Sequence, residues 1–339
     1  MGVASAQPAL PEARGPLSEA LLAGLQGEPG QIPHLPSFHD AWCEDVQLAL
    51  YVCYELHYRG FSGVADGWEW DPRLLAQRGA MERSLLDRVR QELGPVPDSA
   101  EQIGRLLAPS DGEGSASGFL LEKGQRWHVQ EYLAARSLYH LKEADPQTWA
   151  IPRTHGDAQS VLVALQYDEY GGGRPEWVHA RLFADMMNAW DLDSEYGAQL
   201  DAAPWQAMAV VNLMSLFGLH REHRGALLGQ FARAEITSPP SSRRLVDAFQ
   251  RLGVEEAGYR FYSEHVEADA VHEQLVRRGV LDTMLRDEPD LEEGVAFGLA
   301  ASGFTETALA NQLLDNWSAG QSALRTSPSQ KDVSVSVDA

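Results

Sequence analysis

The sequence predicts an all-α protein. Apolar residues recur at helical spacing along most of the chain, strand-like alternation is almost absent, and Pro- or Gly-rich breaks divide the periodic stretches. Trp42, Val46, Leu50 and Cys53 mark one helix, and Leu121, Val129, Leu133, Leu138 and Leu141 fall along another. In the longer, C-terminal part the pattern predicts helices near 118–144, 156–170, 175–190, 204–218, 221–236, 241–252, 255–278 and 289–318. Short connections between amphipathic helices imply a compact bundle.

Punctuation divides the chain into four parts. Residues 1–36 carry Pro8, Pro11, Pro16, Pro29, Pro33 and Pro36 around one short amphipathic run, Leu17 to Leu25, and are expected to be a mostly disordered arm. An N-terminal helical region over 37–112 follows, with breakers at Pro95 and Pro97 and a Gly/Ser-rich segment, Gly112 to Gly118, after it. The main helical domain then covers 117–318, and 319–339 has little to bury and is expected to be a disordered tail.

Composition narrows the function. The 339 residues are 44% hydrophobic, enough for a sizeable core. No apolar run is long enough for a membrane span and the N-terminus has no targeting pattern, so a cytoplasmic protein is expected. A net charge of -22 would repel a phosphate backbone, which argues against nucleic acid as a partner. The two cysteines, Cys43 and Cys53, are too few for a four-thiolate zinc or iron–sulfur centre. Gly114 and Gly118 have the outer spacing of a nucleophile elbow, but Ala116 stands where its serine should be, and no phosphate-binding or dinucleotide fingerprint occurs.

Three clusters could carry chemistry. On a helix, Asp269 lies about 40° from His265 and His272 about 20° from it on the other side, so all three share one face. Two imidazoles and a carboxylate are a mixed N/O set that iron or manganese accepts, although a polar surface stripe would show the same spacing. In the run Asp168 to His179, Gly171, Gly172 and Gly173 precede Pro175, yet helical periodicity resumes through Val178, Leu182 and Phe183. A short break there lets Glu169, at the end of one helix, and His179, at the start of the next, converge. Glu176 and His179 also have the Glu-x-x-His spacing of ferritin-like bundles, while Glu176 could equally serve the helix dipole. Glu143 lies near a helix end, where a solvated side chain is the ordinary outcome. His220 and His223 sit in a strongly polar run and are expected on a solvated face.

Taken together, Ser137 to Asp145, Asp168 to Pro175 and His265 to Asp269 resemble the haem-oxygenase-like di-iron oxidases and oxygenases, the iron-containing redox enzyme family, over about 140 residues from Tyr132 to Leu275. The resemblance implies a haem-oxygenase-like helical bundle with an additional N-terminal helical region. In that family one core helix gives a glutamate, a second gives a glutamate and a histidine ten residues later, and a third gives His-x-x-x-Asp-x-x-His. Glu143, Glu169, His179, His265, Asp269 and His272 occupy those positions. It favours Glu169 over Glu176 as a metal ligand, leaves Glu176 with a supporting or capping role, and suggests a supporting contact from Glu235.

The resemblance further implies two Fe(II)/Fe(III) ions, O2 as co-substrate bound as a peroxo-bridged species, an external reductant, and a small-molecule substrate oxidised at an amine nitrogen or through C–H or C–C cleavage of an amino or fatty acid. Tyr139, Tyr170, Trp177 and Phe183 are candidates for the pocket wall. Two rival expectations stay open. One is a haem-binding or metal-free enzyme on the same fold, and the other is a non-catalytic helical binding or dimerisation protein. The N-terminal helical region would suit pairing into a homodimer.

Overall fold

The computed structural model describes residues 7–331, apart from the side chains of Asp269 and Ala270. Its helices are α1 (Pro16–Leu25), α2 (Glu44–Glu55), α3 (Pro72–Leu93), α4 (Ser99–Leu106), α5 (Ala116–Lys123), α6 (Arg126–His140) and α7 (Asp145–Thr148). These are followed by α8 (Gly156–Glu169), α9 (His179–Ala189), α10 (Trp205–Leu219), α11 (Arg224–Arg251), α12 (Arg260–Gln274), α13 (Asp282–Asp287) and α14 (Glu292–Ser318). No strand occurs among the described residues.

Helix α10 occupies the centre. Every residue from Ala207 to Gly218 is buried, as expected of a helix that is apolar all round. Its two buried polar residues find partners: Asn212 donates its amide to the backbone carbonyl and side-chain oxygen of Gln47, each at 2.8 Å, and Ser215 accepts from the Tyr58 hydroxyl at 3.1 Å. Around it, α11 packs on α14, α12 and α5, while α2 and α14 cover α10. The α11–α14 crossing is unusually close. A Cβ at Gly229 would collide with the Val295 carbonyl, and one at Gly298 with the Ala226 carbonyl.

Four elements differ from the sequence expectation. The stretch near 118–144 is two helices, α5 and α6, because Gly124 turns to an extended ψ of 139° and caps α5 by donating to Leu120. The helices expected near 221–236 and 241–252 are one continuous α11, with Pro239 and Pro240 inside it. Each removes one backbone bond, freeing the carbonyls four residues earlier, Glu235 and Ile236. The helix persists because both halves bury apolar faces, Leu227, Leu228 and Phe231 before the prolines and Leu245, Val246 and Phe249 after them. Helix α12 runs on into a π-helical stretch, Leu275–Leu281, that packs on α8.

The N-terminal arm is the fourth difference. Over 7–36 it is packed, with Leu17, Leu21, Leu22 and Leu25 of α1 buried against α2. Asp45 anchors the start of α1 by accepting from the amides of Leu17 at 2.9 Å and Ser18 at 2.7 Å. Part of the expected tail is likewise ordered, since Ala323 and Leu324 are buried and Gln330 pairs with Leu192. Residues 1–6 and 332–339 lie outside the described residues.

Candidate metal centre

The end of α6, the end of α8, the start of α9, the middle of α11 and α12 meet at one point inside the bundle. The α8–α9 junction shows why. Gly171, Gly172 and Gly173 have φ of 82°, 58° and 81°, all in the left-handed region that favours glycine. A Cβ on Gly171 would stand 2.7 Å from the Val178 amide nitrogen, so only glycine lets the chain fold back this tightly. The consequence is that Glu169, last in α8, and His179, first in α9, face one another with Oε2 and Nδ1 2.7 Å apart.

Two groups of donors result. Glu143, His179 and His265 bring ligand atoms within 4.8 Å of one another, and so do Glu169, Glu235 and His272. Glu169 links the groups, since its Oε1 also lies 3.2 Å from His272 Nδ1. Glu235 Oε2 is 3.6 Å from the same nitrogen, and Glu143 Oε1 is 3.7 Å from His265 Nε2. Glu169 is 3% exposed, His272 2% and Glu143 8%.

The orientation of the rings suits cation binding. His265 donates from Nδ1 to the Phe261 carbonyl at 2.7 Å, because a carbonyl can only accept, which turns Nε2 toward Glu143. His272 donates from Nε2 to Asp168 at 2.9 Å, which turns Nδ1 toward Glu169 and Glu235. A second hydrogen bond of this kind orients metal-binding imidazoles. His179 Nδ1 is buried and, despite its closeness to Glu169, makes no hydrogen bond there. Its geometry is that of two donors converging on a third body rather than on each other.

Electrostatics agree. The ion pairs described for Glu143, Glu169 and Glu235 are all with imidazoles. Burial alone would raise the Glu143 and Glu169 carboxyls, but His140 and His265 hold Glu143 far below the carboxylate range, and His179 and His272 hold Glu169 low. Burial would lower His272, yet Glu169 and Glu235 push it well up. Three carboxylates in a dry interior demand compensating positive charge. Divalent cations that accept mixed N/O ligands, iron among them, would meet that demand, and the donor sets fit such a cation.

Other predicted residues fall elsewhere. Asp269 is on α12 between His265 and His272, but its side chain lies outside the described residues. Glu176 is exposed in the short turn Pro175–Trp177 and belongs to neither group. Glu235, expected in a supporting contact, stands among the donors themselves. Of the four pocket candidates, Tyr139 lines the adjoining cavity. Tyr170 instead turns outward to donate to Asp145 at 2.6 Å, and Trp177 is held between the guanidiniums of Arg174 and Arg260 at 4.7 and 4.4 Å. Phe183 is fully buried against His140 and Phe261. Asp168 and His140 had no assigned role, although both flank the quoted ligands. His140 lies 3.0 Å from Glu143. His220, expected on a solvated face, turns inward to Glu82 at 3.1 Å.

Residues 130–303, slightly more than half of the chain, match the family described as iron-containing redox enzyme. The chain belongs to that family. The haem-oxygenase-like, all-helical fold and a redox function follow for this iron-containing redox enzyme at the level the family defines. Among solved structures, it is similar to a CADD-like protein of unknown function from Nostoc punctiforme, at 17% identity and a TM-score of 0.49, covering 64% of this chain and 96% of that one. It is also similar to a domain of unknown function with a heme oxygenase-like fold from Shewanella denitrificans, at 13% identity and a TM-score of 0.47, covering 70% and 95%. No curated protein matches the chain. Among the described residues, no helix of this iron-containing redox enzyme is long and apolar enough to cross a membrane.

Proposed function

We propose that the chain is a non-haem di-iron enzyme that uses O2 and an external reductant to oxidise a small metabolite held in the cavity beside the donor groups. The observation that carries this is the pair of buried donor triplets joined through Glu169. Glu143, His179 and His265 would hold one iron, Glu169, Glu235 and His272 the other, with Asp269 available on the same helix. When bound, two ferrous ions supply open coordination positions and the electrons that dioxygen reduction requires.

The chain's own residues do the rest. Phe261 and Asp168 orient the rings of His265 and His272, so that Nε2 of the one and Nδ1 of the other are the nitrogens turned toward the carboxylates and would be the ones to ligate. The cavity, about 370 Å³, opens onto Glu143, Glu169, Glu235 and His265. Phe231, Leu245 and Phe261 in its wall exclude water and bind the apolar body of a substrate. Tyr139 also lines it, and burial and the nearby Glu143 keep its phenol protonated. Substrates consistent with this cavity are amines, amino acids and fatty acids.

The test is oxygen uptake by protein loaded anaerobically with Fe(II) and then exposed to air with a panel of amino acids, amines and fatty acids. Substrate-dependent uptake that disappears in His179→Ala is expected. No uptake by loaded protein with any substrate class, or a haem absorption band in the purified protein, would reject the proposal.

A further inference from the structure

The cavity has a second charged end. On α6 the residues facing it are Tyr132, Arg136, Tyr139 and His140, so Arg136 sits one turn, about 6 Å of rise, before His140 and farther from the donor groups. Arg136 donates to both oxygens of Glu306 on α14, at 2.9 and 2.7 Å, which neutralises that pair. A second guanidinium, Arg233, lines the same cavity. It makes no hydrogen bond or ion pair among the described residues.

Three features show that Arg233 is held at the cavity rather than drifting in solvent. It is half-buried, and burial lowers it from the usual arginine value, only partly offset by the charge of Glu306. Gly303 makes room for it, since a Cβ there would stand 2.8 Å from the guanidinium carbon. Finally, Arg233 and Glu235 lie about 160° apart around α11, on opposite flanks of the stripe formed by Gln230, Ala234, Ser238 and Ser241 that faces the cavity. Two arginines and one glutamate leave one positive charge in excess at this end, and the donor groups stand at the other.

Resting on the assignment of the cavity to the substrate, we infer that Arg233 is a specificity-determining residue that binds a carboxylate, and that the substrate is a carboxylic acid held by its head group away from the metals. A planar guanidinium matches a carboxylate with two parallel N–H donors. The apolar wall between the two ends then takes the body of the acid and directs the reacting part toward Glu143 and Glu235.

Binding tests this separately from catalysis. Hexanoate, octanoate, decanoate, L-leucine and L-phenylalanine would each be titrated calorimetrically against its primary amide, using full-length protein both metal-free and anaerobically Fe(II)-loaded. At least one acid should bind about tenfold or more tightly than its amide in both states. That preference should collapse in Arg233→Met and survive in part in Arg233→Lys, with iron content unchanged in both variants. No acid preferred over its amide, a preference intact in Arg233→Met, or a preference confined to iron-loaded protein would overturn the inference. Iron content reports on the di-iron proposal independently, so a protein that binds no iron yet discriminates through Arg233 would refute the one and support the other.

Discussion

Glu169 faces His179 on one side and His272 on the other, so it is the side chain through which the two donor groups communicate. Glu169→Ala or His179→Ala should therefore lose iron while leaving a folded chain, whereas Glu176→Ala, at an exposed turn, should retain it. Elemental analysis after anaerobic loading reads this, and iron loss confined to Glu176→Ala would refute it. Asp168→Ala should keep the ligands but weaken iron affinity by about 10–100-fold, because His272 loses the acceptor that fixes its tautomer. A second residue-scale test concerns pH. Burial would raise Glu82, but His220, Arg78 and the Tyr54 hydroxyl hold it below the usual 4.5. A carboxyl lower in the folded than in the unfolded state contributes stability that is complete above the unfolded value and lost as pH falls through the folded one. Urea midpoints should thus fall less steeply below about pH 4.5 in Glu82→Gln than in the parent. Parallel curves would show that Glu82 is not a stabilising carboxylate. Glu143, Glu169, His179, His265 and His272 were legible as candidates from residue type and spacing, but their joint assignment needed the family resemblance. Glu235 was legible only through that resemblance and only as a supporting contact, because a lone glutamate before Thr237, Ser238 and two prolines has no spacing signal of its own. Its position depends on which face of α11 meets α12.

At the scale of elements, α11 carries both the donor Glu235 and the anchor Arg233, and its contact with α14 keeps it in register. Gly229 and Gly298 permit that contact, so Gly298→Ala should destabilise the chain by about 1–3 kcal/mol through overpacking. Denaturant unfolding checks it, and an unchanged midpoint would mean that the helices separate without cost. Helix α12 presents His265 and His272 on one face, and coordination free energy is gained only when that face is ordered. Amide exchange over Arg260–Leu281 should slow on anaerobic Fe(II) binding, whereas equal protection with and without metal would favour a site that is fully preformed. Helix existence was legible in apolar periodicity throughout. Boundaries were less so where packing outweighed local chemistry, as in α11, whose apolar faces carry it across Pro239 and Pro240. The arm over 7–36 was misread for the same reason. Its prolines signal disorder, but the four leucines of α1 find a covering surface on α2 that local composition does not reveal.

The whole molecule gathers ligands from four helices, α8, α9, α11 and α12, and from the turn after α6 that carries Glu143. Such a centre is readable in sequence only as separate fragments, and the cavity joining it to Arg233 only once the helices have been assembled. The N-terminal helices pack on α10, α11 and α14, and Glu55 of α2 accepts from buried Lys142, the neighbour of Glu143, at 2.9 Å, so they brace the bundle that holds the donors. A chain of net charge -22 that also buries three glutamates around imidazoles has a strong electrostatic reason to take up cations there. Two triplets, rather than one open site, make the number of cations the decisive quantity. Anaerobic reconstitution with excess Fe(II), removal of loosely held metal and elemental analysis should give close to two irons per chain. Saturation near one iron per chain, or none, would contradict a two-iron centre.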